Sequence, residues 1–301
     1  QIAFGISYST LLLLPKFLRV ELHASATVVG WVGGTAVVTA AVAGLFFGRA
    51  SRHLGVRNLL ALALAMESLA AFGFMLVGDV GIAMGGLRVM QGLAWAITFA
   101  ATAALCVNAV PPERMAEAIA YLGVAMLGTN ALAPALTEPV AATLGWPWAF
   151  AFAGLAPALA LTLLPQLPKQ PGRVASTDSA PQRWSQRLVA CYYAALLTGV
   201  GIGVMFTFVQ PYVLSQGAER VGALFVGHVA AAMTTRLTLG RMIDRLGPPR
   251  VTVVSQVFYA ATVTAAAAVT PATLLPLGLA LGVSHGLLYP ALTATALRVV
   301  T

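Results

Sequence analysis

Long apolar runs separated by short polar interruptions dominate the chain. A helix needs about 20 apolar residues to cross the hydrocarbon of a bilayer. On that scale the runs predict ten spans, near 1–18, 28–47, 58–77, 81–106, 117–142, 147–165, 188–210, 219–240, 251–269 and 272–297. Gly, Ala and Ser recur within them, which lets helices approach closely where lipid supplies no hydrophobic drive. Two interruptions are alike. Gly240-Arg241-Met242-Ile243-Asp244-Arg245-Leu246-Gly247 lies between two spans, and Gly48-Arg49-Ala50-Ser51-Arg52-His53-Leu54-Gly55 lies in the same setting 192 residues earlier. A charged turn repeated in two hydrophobic halves predicts a duplicated membrane bundle, and such repeats usually place a solute site between the halves. The expected organisation is a bundle over 1–165, a linker over 166–187 that is rich in Pro, Ser and basic residues, and a second bundle over 188–301.

Composition strengthens this picture. Hydrophobic residues make up 59% of the chain, charged residues 9%, and the mean hydropathy is +0.87, which excludes an ordinary soluble domain. The net charge of +8 has a topological cause. With the first loop placed outside, the basic residues gather on the inner side, from Arg49, Arg52 and Arg57 to Arg241, Arg245 and Arg250, while Lys16, Arg19 and Arg220 fall outside. That asymmetry is the positive-inside pattern. It predicts a multi-pass protein of the inner (plasma) membrane with a cytoplasmic linker, and it removes the case for a nucleic-acid partner. Cys106 and Cys191 lie in or beside spans, so no structural disulfide is expected. The repeat also predicts length. The sixth span ends about 117 residues after Gly48, and the same distance from Gly240 reaches about 56 residues beyond Thr301. Ten of twelve helices are therefore expected here.

Three motifs carry a resemblance to a known family. Gly240, Asp244, Arg245 and Gly247 match a Gly-x3-Asp-Arg-x-Gly loop, Arg88-Val89-Met90-Gln91-Gly92 matches Arg-x-x-Gln-Gly, and Ala133-Pro134 with Thr137-Glu138 loosely follows an antiporter motif. With Gly286-Leu287-Leu288-Tyr289-Pro290, the chain resembles the major facilitator superfamily, in particular its bacterial efflux-type members, over essentially all 301 residues. The resemblance implies a two-bundle, all-α membrane fold and an inner gate built on Gly240, Asp244, Arg245 and Gly247. The first-half loop departs from the motif, with Arg52 and His53 where an acid and an arginine are expected. The helix 5 motif keeps only its proline.

Ionisable groups inside spans are costly and mark function by default. Arg88 and Glu138 lie at similar depth, roughly 6–10 Å from the ends of neighbouring helices at a rise of about 1.5 Å per residue. They are expected to pair as a proton-coupling switch, with a static structural pair, or a Glu138 that reaches the outer interface, as the alternatives. Glu67 lies near the middle of helix 3, which is peripheral in the family, so the resemblance argues against a pore role. Arg236 is expected to support the gate. His228 and His285, near mid-depth, can relay protons, contact substrate or simply bond within the bundle. The resemblance implies that helices 1, 4, 7 and 10 line the cavity, which nominates Tyr8, Gln91, Trp95, Phe206, Gln210, Tyr212, His285 and Tyr289. Such an apolar, aromatic lining suits amphipathic or uncharged solutes better than phosphorylated ones.

The expected function is secondary active transport of a small molecule by alternating access, as proton-coupled efflux. The alternatives are proton-coupled uptake of a sugar or organic acid, and a non-transporting receptor or scaffold of the same fold. No nucleophile–base constellation, phosphate-cradling loop or metal-ligand spacing is present, so neither an enzyme, a cofactor nor a metal is expected. The expected partners are the substrate, protons and the lipid bilayer, with the chain acting as a monomer.

Overall fold

Each predicted span folds as helix. The structure, a computed structural model, describes residues 1–111, 115–167 and 185–300, with the side chains at 107–109, 115–120, 240–242, 244 and 297–300 outside that description. Among the described residues the elements are α1 (Ile2–Thr10), α2 (Leu14–Val20), α3 (Ala26–Leu54), α4 (Val56–Phe74), α5 (Ile82–Ala109), α6 (Met115–Leu144), α7 (Trp146–Leu163), α8 (Gln186–Ser215), α9 (Gly222–Leu246), α10 (Pro248–Ala265) and α11 (Leu274–Val300), with no strand. The first span is divided into α1 and α2 by a 3-10 turn at Leu11–Leu13. Pro15 explains the break, because it has no N–H to continue the α-helical ladder. Among the described residues seven helices are long and apolar enough to cross a membrane, and this is a multi-pass membrane protein.

The chain divides into two compact units, Gln1–Ser176 and Thr177–Thr301. In the first, α5 packs between α3 and α4, α4 also meets α7, and α1 lies against α6 and α7. In the second, α11 packs along both α9 and α10 and touches α8. The α3/α5 and α4/α5 seams of the first unit thus recur as α9/α11 and α10/α11, the structural form of the duplication. Small residues allow both outer seams to close. A Cβ on Gly92 of α5 would collide with the Ala36 carbonyl of α3. On α11, Gly278, Gly282 and Gly286 recur every four residues and so share a face. A Cβ at Gly278 would lie 2.5 Å from Leu224 O, one at Gly282 would strike His228 O, and one at Gly286 would lie 3.0 Å from Ala232 Cα.

The repeated charged turn is repeated in backbone too. Gly55 ends α3 and starts α4 at φ 76°, and Gly247 does the same between α9 and α10 at φ 84°. With ψ of 147° and 133°, these conformations are accessible to glycine and strained for any residue with a Cβ. The first glycine of the repeat has another environment. A Cβ at Gly48 would meet nothing within 4 Å, so close packing does not explain that position.

The expected Arg88–Glu138 pair does not form. Glu138 Oε1 instead accepts a charge-assisted bond from Lys16 Nζ at 2.7 Å, which ties α2 to α6. The reason is direction rather than depth: Arg88 points from α5 toward α3, where its Nε and Nη2 donate to the Val32 and Gly33 carbonyls. Both members of the Lys16–Glu138 pair are largely buried, so losing one partner strands a charge at a cost of roughly 3 kcal/mol or more.

Two variants test these contacts. Gly282→Val should cost about 1–3 kcal/mol by overpacking and lower the thermal midpoint in detergent, whereas Gly48→Ala should leave it unchanged. Glu138→Gln and Lys16→Gln should each lower the same midpoint, and the double swap Lys16→Glu with Glu138→Lys should recover most of the loss. A swap no more stable than either single variant would count against the pair.

Candidate functional site

The first unit buries a polar chain that links four helices. Ser7 of α1 donates through Oγ to Oε1 of Glu67 on α4 at 3.1 Å. Gln91 of α5 donates through Nε2 to that same oxygen at 3.4 Å, and its Oε1 accepts from Arg88 Nη1 at 2.7 Å. The bonds from Arg88 to the Val32 and Gly33 carbonyls, at 3.0 and 3.2 Å, extend the chain to α3. Glu67 and Gln91 are fully buried, and Arg88 nearly so. A guanidinium in such a place must be hydrogen-bonded on all sides to be tolerated, and here its charge reaches the carboxyl through one amide. Glu67 Oε2 has no hydrogen-bond partner among the described residues. A bare carboxylate oxygen in an apolar interior is costly, and a proton on it would remove that charge. Beside this chain, Tyr8 stacks on Trp95 at 5.4 Å between centroids and on Phe4 at 5.8 Å.

The second unit holds a different cluster, built on the α9/α11 seam that the glycines close. The rings of His228 and His285 lie 5.3 Å apart, His285 and Tyr289 lie 6.3 Å apart, and the Arg236 guanidinium sits 5.7 Å from the centre of the Tyr289 ring. Phe206 of α8 meets His228 edge-on at 5.4 Å. His228 Nδ1, His285 Nδ1 and Arg236 Nε are buried and have no hydrogen-bond partner among the described residues. His285 and Tyr289 also line a cavity of about 450 Å³ between α8 and α11, with Tyr192, Thr198, Ile202 and Leu292 among its walls.

The nominated residues therefore fall into two groups, one in each unit. Tyr8, Gln91, Trp95 and Arg88 assemble around α5, while Phe206, His285 and Tyr289 assemble around α11. Gln210 is buried and donates through Nε2 to the Phe206 carbonyl one turn earlier. Glu138 stands apart, engaged with Lys16. Tyr212 is exposed and donates to the Ala267 carbonyl at 3.3 Å. At the motif loop, Arg245 is exposed and Gly247 forms the turn, whereas the surroundings of Gly240 and the side chain of Asp244 lie outside the described residues. Glu67 and Ser7 were not singled out for the site. The available signal was chemical: an acid at mid-span, and Ser7, Ser9 and Thr10 clustered in the first apolar run. All three hydroxyls are buried, and Ser9 donates to Asn130 Oδ1 of α6 at 2.8 Å. Among the described residues, no group of three or more His, Cys, Asp or Glu is placed to hold a metal ion.

Comparison with known proteins accords with this architecture. The chain is similar in fold to a point mutant of the nucleoside transporter NupG, at TM-score 0.78 and 14% identity over 98% of this chain and 83% of that one. It is likewise similar to the inward-open xylose transporter XylE from E. coli, at TM-score 0.74 and 14% identity over 96% and 78% of the two chains. A third similar structure is described as a D-xylose-proton symporter, at TM-score 0.68 and 13% identity over 99% and 84%. At these identities the likeness concerns the fold alone. The family description Major Facilitator Superfamily matches residues 1–301, and the chain belongs to that superfamily of membrane transporters.

Proposed function

We propose that this chain is a proton-coupled secondary transporter of the inner membrane that exports a small organic molecule by alternating access. The observation that carries the reading is Glu67 with its unpartnered Oε2 at the centre of the Ser7–Glu67–Gln91–Arg88 chain. In the deprotonated state the carboxylate charge is balanced by Arg88 through Gln91. Protonation at Oε2 leaves Arg88 as the uncompensated charge and weakens what Ser7 and Gln91 hold. Since α1, α3, α4 and α5 all contribute to the chain, one proton changes the contacts of four helices together. That is how a local charge event can bias one conformation over another. A scaffold has no use for such an arrangement, since an apolar core would be less costly.

The export direction draws its support from the resemblance of the sequence motifs to those of bacterial efflux-type members. Uptake is the second reading, favoured by the description of one similar fold as a D-xylose-proton symporter. In either case the repeated loop, with Asp244 and Arg245, supplies the inner gate beside a cytoplasmic linker. The first-half copy, with Arg52 and His53, lacks the acid to match it.

Membrane vesicles distinguish the two directions. A panel of labelled organic solutes should contain one that accumulates in everted vesicles when their interior is acidified. Accumulation only in right-side-out vesicles under an acid exterior would establish uptake instead. Glu67→Gln should abolish the gradient dependence while leaving exchange of labelled for unlabelled solute intact, because exchange needs no net proton transfer. Full gradient-driven accumulation by Glu67→Gln at normal expression would rule out Glu67 as the coupling group.

A further inference from the structure

Two arginines lie inside the spans, and their surroundings differ. Arg88 is closed by three hydrogen bonds. Arg236 is half-buried, its Nε has no hydrogen-bond partner among the described residues, and its guanidinium lies over the face of Tyr289. The sequence offers few acids as a counter-charge here. Across residues 185–300 the acids are Glu219, before α9, and Asp244, two turns beyond Arg236. No acidic residue on α8, α10 or α11 can face the cluster, since those helices contain none. An arginine cation, two imidazoles with open nitrogens and a tyrosine thus run along one seam, with no carboxylate among the contacts described. Next to them lies a cavity of about 450 Å³ whose other walls are mainly apolar, among them Leu188, Ile202 and Leu292.

From this juxtaposition we infer that the second unit binds an amphipathic organic carboxylate, its anionic head held by Arg236 with His228 and His285 and its apolar body in the cavity between α8 and α11. The inference rests on the transport reading above and names the substrate class. A planar guanidinium matches a carboxylate in a bidentate fork, and imidazole N–H groups can complete the oxygen's bonds. Tyr289, which contacts both Arg236 and His285, joins the charged seam to the cavity wall. The small volume and apolar walls suit a monocarboxylate with one ring or a short chain. A phosphorylated solute would call for more than one strong cation.

The test is binding to the full chain in nanodiscs of neutral phosphatidylcholine at pH 8, using benzoate, phenylacetate and hexanoate, each against its neutral amide. At least one acid should bind about tenfold or more tightly than its amide, as expected for charge-assisted bonds. Arg236→Gln should remove that preference, and Arg236→Lys, which keeps the charge, should restore part of it. His285→Leu should weaken the acid more than the amide. Glu67→Gln should leave the preference intact while losing gradient-driven transport, so the binding site and the coupling group fail separately. If no acid outbinds its amide, or if Arg236→Gln and Arg236→Lys both keep the full preference, the proposal is overturned. It is equally overturned if Arg236→Gln changes only the retention of phosphatidylglycerol, which would make a lipid phosphate the occupant.

Discussion

A positive charge buried in a membrane bundle must be answered by its neighbours, and Arg88 shows how much structure that requirement recruits. Its donors reach two carbonyls on α3 and the amide of Gln91, and through Gln91 it reaches Glu67 on α4 and Ser7 on α1. Four helices are thereby held to one charge-balanced arrangement. Gly92, one residue beyond Gln91, lets α5 lie directly on the α3 backbone, so the packing that brings Arg88 to the Val32 carbonyl and the motif that contains it are one feature. The helix motif is a structural device first. Its capacity for proton chemistry comes from the carboxyl placed at the end of it.

The second unit repeats the seams but not the chemistry. Its glycines at 278, 282 and 286 bring α11 onto α9 as Gly92 brings α5 onto α3, yet what they press together is imidazole, tyrosine and an arginine, with no acid in contact among the described residues. One half of the duplication closes its charge internally, and the other leaves nitrogen atoms open. The two halves have kept a common backbone, down to the left-handed glycines at 55 and 247, while their buried polar groups have diverged. That division fits a carrier in which coupling and substrate recognition occupy different bundles.

The helices were legible in the sequence because span length is set by the bilayer, and apolar runs record it directly. The glycine turn at 247 was legible because its echo at 55 recurs with the same neighbours. What spacing along one helix leaves open is the direction in which a side chain points. Glu138 was matched to Arg88 by depth, but α6 turns it toward Lys16, while α5 turns Arg88 away toward α3. Glu67 was discounted because its helix is peripheral, although a peripheral helix still presents one face inward, and Glu67 lies fully buried on that face. Partners on two other helices, Ser7 on α1 and Gln91 on α5, cannot be read from the residues around position 67.

Infrared difference spectroscopy of the purified transporter in lipid, cycled between acid and alkaline buffer, bears most directly on the role of Glu67. A carboxylic-acid C=O band that is lost in Glu67→Gln and retained in Glu138→Gln is expected if, as proposed, the proton is exchanged at the carboxyl of the Arg88 network and not at the Lys16 pair. A band that persists unchanged in Glu67→Gln would contradict the assignment of proton exchange to this carboxyl.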